Sequence, residues 1–378
     1  MFLLNELILL SPFAIYTYIR VLRLFSWNIA RILFTAGFVV LLAGLPVAET
    51  LSHRGTGGLT KLVMIAGYDA LPLLLYLVLT VILSDLAIGA ARLLRILSRE
   101  AVRSPRFRRF RLAASLIIPV LVIAAGITNY HHLRIREYTI EVPRRSSSAK
   151  QLTIAFAADF HLGTITAGHF LERFVAKVNA AAPDIVLIGG DILEGDRRDE
   201  DTGKFEAQFR RLHPKYGVYA VPGNHEGHGG GRTDFFERAG IRLLEDMVVK
   251  IDDAVYLAGR NDAHSRNRKP VADLLRDTPG DLPVILLDHR PTDLENVSRT
   301  GVDIQLSGHT HHGQLFPINV ITNREYELSW GHIKKNRTHV FVTSGVQLWG
   351  PPVRTAGSSE ILLLHILFKE PAGGNRIP

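Results

Sequence analysis

Acidic, amide and histidine side chains recur in the second half of the chain, each just after a short apolar run. Asp159 and His161 follow the first of these runs, residues 152–158, and are separated by one residue. The later groups are Asp191, Asn224 with His225, His289, and His309 with His311. These oxygen and nitrogen ligands suit Mn, Fe, Zn or a similar divalent ion, and the absence of cysteine excludes thiolate-held sites. The spacing therefore predicts a metal site with mixed oxygen and nitrogen ligands.

The elements that must position these groups are the strands of an α/β domain. From about residue 151 the sequence alternates short apolar runs with amphipathic stretches, which is typical of strands followed by helices in a layered α/β fold. Loops that leave the carboxyl ends of parallel strands meet at one edge of a sheet, where ligands bind. Gly190, Gly223 and Gly308 directly precede candidate ligands, and we expect each to let the backbone turn sharply.

A different pattern occupies roughly the first 130 residues. Four apolar stretches lie there, at residues 7–19, 32–48, 71–84 and 112–128. A helix needs about 20 mostly apolar residues to cross a bilayer, and tilt or flanking residues supply the difference. The sequence therefore predicts an all-helical transmembrane region of about four helices at 1–130, a juxtamembrane linker at 131–150, the α/β domain at 151–367 and a disordered tail at 368–378.

Charge is distributed as unevenly as hydropathy. The chain carries a formal net charge of +8, and residues 1–145 hold 17 Lys or Arg against 7 Asp or Glu. The remaining residues hold 27 against 29, so the basic balance is not the footprint of a nucleic-acid-binding domain. We expect a lipid bilayer as a partner and no nucleic acid.

An arginine-rich loop predicts the orientation in the membrane, because basic loops stay in the cytoplasm. After Asp85, which flanks the third stretch, the segment before the fourth holds one acidic residue, Glu100, and eight arginines: Arg92, Arg95, Arg99, Arg103, Arg106, Arg108, Arg109 and Arg111. The fourth helix would then run outward, although the later arginines at 134, 136, 144 and 145 weaken the asymmetry. The prediction is a multi-pass protein of the cell (inner or plasma) membrane with its α/β domain outside the cytoplasm.

The ligand pattern resembles a known family, the calcineurin-like metallophosphoesterases, over about residues 150–367. The five motifs occur in that family's order, as Asp159-x-His161, Gly190-Asp191, Gly223-Asn224-His225-Glu226, His289 and Gly308-His309-x-His311. The resemblance implies a four-layer α/β/β/α sandwich. The apolar stretches ahead of the domain resemble a membrane-bound branch of the same family.

The resemblance also implies a role for each motif residue. One metal ion would be held by Asp159, His161, Asp191 and His311, and a second by Asp191, Asn224, His289 and His309, with Asp191 bridging the two. His225 would act as the acid beside the leaving group. Glu194 departs from the family, since relatives often have Asp or Gly three residues after the bridging Asp, but that position is not a ligand.

A metal-dependent phosphoric ester hydrolase is the activity that this resemblance implies. Two cations about 4 Å apart can share a hydroxide, lower its pKa and hold the phosphate for in-line attack. Asn224 would supply a neutral carbonyl oxygen, which limits the negative charge around that hydroxide. Protonated His225 can stabilise the developing charge and give a proton to a poor leaving group near neutral pH.

Three further residues are candidates for contact with substrate or metal. Arg290 and Arg354 could hold a second phosphate or an acidic headgroup, because guanidinium forks match phosphate oxygens, and a surface salt bridge is the alternative for both. His312 could be a further ligand, but the second of two adjacent histidines more often points away, and we expect that here.

The substrate is open within this class. Phosphorylated small molecules or lipids are expected, and lipid- or envelope-linked phosphate esters suit a membrane-bound enzyme. Relatives of this branch are associated with lipid-linked pyrophosphates such as UDP-2,3-diacylglucosamine, but that reaction is cytoplasmic and conflicts with the predicted orientation. A membrane sensor or binding module would lack one or more ligands, and all are present. A transporter would need paired charges deep within the apolar stretches, which the sequence lacks.

Overall fold

The computed structural model describes residues 2–52, 58–163, 168–194, 202–228 and 233–370. The chain divides into two units. The helical unit is the chain up to Asn129 together with Gly350–Thr355, and the α/β unit is Tyr130–Trp349 together with the chain from Ala356.

In the described residues, five helices lie ahead of the first strand. They are α1 (Phe2–Leu22), α2 (Asn28–Ser52), α3 (Gly58–Leu93), α4 (Arg99–Arg103) and α5 (Pro105–His131). Within the described residues, three helical stretches are long and apolar enough to cross a membrane: Asn28–Ala48 in α2, all of α3 and all of α5. They contain the second, third and fourth predicted stretches. The first predicted stretch lies within α1, and its crossing of the membrane stays a prediction.

Asp85 of α3 links α1 and α5 within the helical unit. Its carboxylate accepts hydrogen bonds from Arg20 Nε of α1 at 2.6 Å and from an Arg111 guanidinium nitrogen of α5 at 2.5 Å. The Tyr16 hydroxyl of α1 also donates to it, at 2.7 Å. Because a carboxylate is costly to remove from water unless it is paired and hydrogen-bonded, these contacts satisfy Asp85 and join three helices.

Strands and short helices alternate through the α/β unit. The strands are β1 (Arg134–Pro143), β2 (Gln151–Ala157), β3 (Ile185–Ile188), β4 (Val218–Ala220), β5 (Ile241–Leu243), β6 (Met247–Ile251), β7 (Val255–Gly259), β8 (Val284–Leu287), β9 (Ile304–Ser307), β10 (Gly331–Lys335), β11 (Thr338–Val342) and β12 (Glu360–Lys369). The helices are α6 (Gly168–Ala181), α7 (Thr202–Phe209), α8 (Asn224–His228), α9 (Thr233–Arg238), α10 (Val271–Leu274), α11 (Leu294–Ser298) and α12 (Ile318–Glu325). Among the residues that the structure describes, these strands form two six-stranded sheets, ordered β1-β12-β2-β3-β4-β5 and β10-β11-β9-β8-β7-β6.

Three apolar clusters define the layers of this unit. The cluster between the sheets contains Phe156 of β2 and Leu257 of β7. Alternate side chains of each strand point to the opposite face, where helices cover them. Phe174 of α6 packs on the first sheet, and Val271 of α10 and Val297 of α11 pack on the second. The layer order is α/β/β/α, which confirms the predicted fold class.

Residues 131–150, predicted to be a linker, contain strand β1. This strand pairs in parallel with β12, from Arg134 opposite Glu360 to Pro143 opposite Lys369. Ile140 and Val142 enter the cluster between the sheets, and burial of these alternate side chains explains why the segment is ordered. The predicted tail at 368–378 overlaps the end of β12, and residues 371–378 lie outside the described residues.

Candidate metal centre

The structure brings eight predicted side chains to the carboxyl ends of five strands. Asp159 and His161 follow β2, Asp191 follows β3, Asn224 and His225 follow β4, His289 follows β8, and His309 and His311 follow β9. Three groups have ligand atoms that all lie within 4.8 Å of one another: Asp159, His161 and His311; His161, Asp191 and His225; and Asp191, His289 and His309. His161 and Asp191 each belong to two of these groups, so the three groups form one continuous site, and Asp191 connects the group of His289 to the other two.

The carboxylate of Asp191 lies between ligands from the two sheets. Its Oδ2 is 3.2 Å from His289 Nε2 and 3.9 Å from His161 Nε2. Asn224 Oδ1 is also 3.2 Å from His289 Nε2, and His161 Nε2 is 3.1 Å from His311 Nε2. Two sets of ligand atoms thus share Asp191, which is the arrangement that a bridging carboxylate requires.

The hydrogen bonding of His289 shows that a cation fits this site. Its Nδ1–H donates to the carbonyl oxygen of Gly189 at 2.7 Å, so the neutral ring turns an unprotonated Nε2 toward the Asp191 and Asn224 oxygens. Three acceptor atoms then face one another. A divalent cation with nitrogen and oxygen ligands satisfies all of them, and a backbone carbonyl that holds the other ring nitrogen is a usual support for a metal-binding histidine.

Without a cation, protonated histidines balance the negative charge of the neighbouring carboxylates. Burial lowers the pKa of His289, but the Asp191 carboxylate outweighs it and raises that pKa to about 10. Burial is outweighed in the same way at His161, where Glu194 raises the pKa to about 9. At His309, burial and the neighbouring His289 charge lower the pKa to about 3. Because metal ligands must be deprotonated, metal binding should release protons from His289 and His161 but not from His309.

The backbone of the ligand loops is strained. Five of the candidate ligand residues have positive φ angles: Asp159 (60°), His161 (42°), Asp191 (52°), His309 (72°) and His311 (47°). For residues other than glycine this region costs of order 1–3 kcal/mol each, and such conformations persist where the surrounding structure imposes them, often at functional sites. Contacts elsewhere in the fold therefore offset the cost of these backbone conformations, which keep the side chains together.

The glycines of the motifs act in two ways. Gly190 has a φ of +92° and makes the predicted sharp turn before Asp191. Gly223 and Gly308 lack a positive φ, so the backbone there does not use the left-handed conformation that favours glycine. They leave room instead: a Cβ at Gly223 would lie 2.1 Å from Asp191 Oδ1, and one at Gly308 would lie 2.6 Å from Asp159 Oδ2. Close approach of a ligand carboxylate requires both glycines.

Glu226 positions the loop that carries Asp191. Its half-buried carboxylate accepts hydrogen bonds from the backbone N–H groups of Asp191 (2.9 Å), Ile192 (2.6 Å), Leu193 (3.0 Å) and Gly223 (2.8 Å). The motif Gly-Asn-His-Glu contained this residue, but the sequence did not indicate that its fourth member holds a loop from another strand.

Glu194 connects the metal centre to the predicted acid, a role that sequence reasoning missed. Its Oε2 lies 2.7 Å from His161 Nδ1 and its Oε1 lies 3.2 Å from His225 Nδ1. Burial raises the pKa of Glu194, but the two histidines outweigh this and lower it to about 2. Burial likewise opposes a charged His225, yet the Glu194 hydrogen bond and charge raise the pKa of that ring. A carboxylate three residues after Asp191, on the same loop, was the available signal.

Glu194→Gln should weaken metal binding about 10- to 100-fold, because an amide holds the His161 tautomer less firmly than a carboxylate. The alkaline limb of the pH profile of kcat should also move to lower pH, since His225 loses the charge that raises its pKa. Metal titration with elemental analysis and kcat measured across pH check both effects. Glu206→Gln is the matched control, because Glu206 is buried and pairs with Arg238. An unmoved limb with normal metal affinity would exclude this role for Glu194.

The remaining candidates lie outside the three ligand groups found among the described residues. Arg290 Nε donates to Asp262 Oδ2 at 3.0 Å, which is the salt-bridge alternative, although its charge also contributes to the low pKa of His309. Arg354 is fully buried and belongs to the helical unit. Substrate contact stays a prediction for both arginines. His312 Nδ1 lies 2.9 Å from Ser329 Oγ, which agrees with the expectation that this ring is not a ligand.

An α/β/β/α sandwich with an Asp- and His-rich centre at its strand ends defines a metallophosphoesterase-type domain. The calcineurin-like phosphoesterase family matches residues 152–313. A Danio rerio transmembrane protein with metallophosphoesterase domain is 31 % identical over 303 residues, which cover 74 % of this chain and 68 % of that protein. The chain therefore belongs to the calcineurin-like metallophosphoesterase family, and with three apolar helices it is a membrane-associated member.

Two further proteins are similar to parts of the chain. An uncharacterized metallophosphoesterase of Helicobacter pylori is 32 % identical over 231 residues, which cover 59 % of this chain and 62 % of the relative. The chain thus spans less than two thirds of that relative's length. Among solved structures, the Thermus thermophilus protein TT1561 is 13 % identical with a TM-score of 0.35, over 50 % of this chain and 88 % of that protein.

Proposed function

We propose that this protein is a membrane-anchored hydrolase of phosphodiester or phosphomonoester bonds that uses two divalent ions, drawn from Mn, Fe and Zn. The observation that carries the proposal is the position of Asp191, whose Oδ2 lies 3.2 Å from His289 Nε2 and 3.9 Å from His161 Nε2. These rings follow strands of different sheets, and each leads to a further set of ligand atoms.

The ligand sets follow from these distances and from the family pattern. Asp159, His161, Asp191 and His311 would hold one ion, and Asp191, Asn224, His289 and His309 would hold the other. When bound, the two ions would neutralise phosphate oxygens and lower the pKa of a water between them. The neutral Asn224 keeps the negative charge of the second set low.

His225 is the proposed general acid. Glu194 accepts from its Nδ1, which leaves the Nε2 proton for the oxygen of the leaving group. The ring of His225 lies 4.7 Å from that of His161, so the acid is adjacent to the metal ligands and a phosphate held by the ions would lie within its reach. Glu194 therefore orients both a metal ligand and the acid.

Lipid- or envelope-linked phosphate esters are the proposed substrates. The support is the membrane association of the chain, because only His132 and Leu133 separate α5 from β1. The unit that carries the site is thus tethered close to a bilayer, where lipid-linked substrates are concentrated.

The test of the activity is a substrate panel assayed with the full-length protein in lipid nanodiscs. Monoesters, diesters and pyrophosphates, each in a soluble and a lipid-linked form, are compared after loading with Mn²⁺, Fe²⁺ or Zn²⁺. We expect turnover that a chelator removes and added metal restores. Failure of every ester class to turn over with any of the three ions would refute the proposed activity.

The α/β unit is further proposed to face away from the cytoplasm in a multi-pass chain. A reporter fused after Gly373 should then give active alkaline phosphatase and dark green fluorescent protein. Replacing Arg103, Arg106, Arg108 and Arg109 with neutral residues should produce mixed orientations, because basic residues in short loops oppose translocation. Neutral replacement of four arginines in the α/β unit is the control and should leave the orientation unchanged: Arg210, Arg211, Arg238 and Arg242.

The opposite reporter result would place the α/β unit in the cytoplasm. Residues 134–145 would then be the retained basic flank. A nucleotide-linked lipid precursor of the UDP-2,3-diacylglucosamine type would become the leading substrate.

A further inference from the structure

Exposed apolar side chains of the α/β unit are concentrated next to the metal centre. In the part of this unit that the structure describes, six large apolar side chains are at least 40 % exposed: Met247, Phe316, Ile318, Val320, Ile321 and Trp349. Four of them fall within residues 316–321, which we call the apolar segment. Contiguous exposed apolar surface of this kind marks a site of interaction with another molecule or with a membrane.

The apolar segment is joined to the loop that carries two predicted ligands. It begins five residues after His311, and the preceding residue, Leu315, is buried. Ile318 N–H donates to Leu315 O at 2.7 Å, which starts helix α12 on this buried residue. At the other end of α12, the ring of Tyr326 lies 6.2 Å from that of His309. Both ends of the helix are therefore anchored beside the ligand loop.

A second set of contacts fixes the same helix. Asn323 of α12 accepts a hydrogen bond from the Ser329 hydroxyl at 2.5 Å, and Ser329 Oγ lies 2.9 Å from His312 Nδ1. A Cβ at Gly313 would lie 2.6 Å from the backbone nitrogen of Asn319, so loop and helix are in close contact. Because these contacts fix α12, the side chains of the apolar segment are exposed by the position of an ordered helix.

The faces of α12 suit the surface of a membrane. The helix buries Thr322 and exposes Ile318 and Ile321, which lie on one side because they are three residues apart. Arg324 and Glu325 follow in the last turn, and Phe316 precedes the helix. An apolar face with an aromatic residue and a basic residue at its edge is typical of a helix that lies in the bilayer interface.

The connection between α5 and β1 indicates which apolar environment the segment would contact, namely the lipid bilayer. The same chain carries three helices apolar enough to cross a membrane, and α5 ends at His131, directly ahead of β1 at Arg134. The tether therefore keeps the α/β unit, which carries the apolar segment, on a chain that is associated with a lipid bilayer. We infer that the segment inserts into the bilayer interface and holds the metal centre at the depth of lipid headgroup phosphates, an inference that rests on the proposed phosphoesterase function.

The first experiment measures insertion directly. The chain has no cysteine, so Ile321→Cys provides a unique site for an environment-sensitive fluorophore in the full-length protein. The labelled protein is reconstituted in phosphatidylcholine vesicles that contain some phosphatidylglycerol and lipids carrying nitroxide quenchers. We expect a blue-shifted emission that the nitroxides quench. Met247→Cys is the matched control, because Met247 is an exposed apolar residue on β6, and its label should stay unquenched.

The second experiment measures the consequence for catalysis. Burial of an Ile side chain is worth about one factor of ten or more in an equilibrium constant, so Ile321→Asp should lower kcat/KM about tenfold on vesicle-borne hexadecyl p-nitrophenyl phosphate. Hydrolysis of soluble bis(p-nitrophenyl) phosphate should be unchanged, which also shows that the variant is folded. Met247→Asp should change neither rate.

The outcomes separate this inference from the proposed function. A label on the Ile321→Cys variant that the nitroxides do not quench would overturn the inference. If that label is unquenched and the thiols of the unlabelled Ile321→Cys variant cross-link two copies of the chain, the apolar segment joins two chains instead. Absence of metal-dependent hydrolysis of both esters by the wild type would overturn the proposed function, whereas quenching of the label at position 321 would still establish insertion.

Discussion

Asp191→Asn should abolish phosphoester hydrolysis and reduce the bound metal to one ion per chain or fewer. The carboxylate lies between His289 and His161, and an amide oxygen cannot supply the charge that a shared position requires. Loss of one ion removes several kcal/mol of transition-state stabilisation, which corresponds to a fall in kcat of about 10³-fold or more. Elemental analysis of the purified variant and kcat on an alkyl p-nitrophenyl phosphodiester measure the two effects.

The control for this variant makes the same substitution at another buried carboxylate. Asp303 pairs with Arg145 at 2.9 Å and accepts from Val284 N at 2.8 Å, and it is outside the three ligand groups. Asp303→Asn should lower stability but keep the metal content. If Asp191→Asn keeps two ions and its activity, the assignment of Asp191 as a bridging ligand is wrong.

His225→Ala should keep the metal bound and lower kcat by about 10²–10⁴, the usual effect of removing a general acid. The loss should be much smaller on a p-nitrophenyl diester, because that leaving group needs no proton. In the wild type, kcat should fall as pH rises through the pKa of His225, since the acid is then deprotonated. Glu194 raises that pKa against the effect of burial, which moves the fall to higher pH, and the variant should lack it.

His312→Ala is the matched control for the acid. His312 is another histidine near the centre, but its ring is hydrogen-bonded to Ser329 and lies 4.9 Å from the ring of Trp330. This variant should keep both the metal and the alkaline limb. Equal losses for His225→Ala on activated and unactivated esters would exclude the acid role and leave His225 with a part in binding only.

The clustering of the candidate ligands at the strand ends was predictable from the sequence because it depends on local features. Each candidate follows an apolar run that forms a strand, and loops from parallel strands meet at one sheet edge. The sharp turn at Gly190 was predicted correctly, because its positive φ angle is a conformation that glycine adopts easily without help from distant contacts. At Gly223 the need for glycine has another reason, because a Cβ there would clash with the Asp191 carboxylate, which belongs to another loop. The metal-holding roles themselves stay predictions.

The roles of Glu194 and Glu226 could not be read from their neighbours in the chain. Glu194 acts through His225, and Glu226 acts through the backbone of Asp191, in each case a residue about thirty positions away. Carboxylates at these positions are equally compatible with solvent-exposed loops. Their hydrogen-bond partners exist only after β3 and β4 are adjacent.

The α/β class of the domain, the apolar helices of the N-terminal region and the types of candidate ligand at the strand ends were predictable from the sequence pattern, whereas the four-layer order was implied by the family resemblance. The predictable features follow from hydrophobic periodicity and residue chemistry, which act over a few positions. Three features became visible in the folded structure alone: residues 134–143 form a strand, Glu194 connects two histidines, and residues 316–321 stay exposed beside the loop of His309 and His311. Each of these depends on contacts between segments far apart in the chain, and a linear pattern does not encode which surfaces remain uncovered when those segments pack.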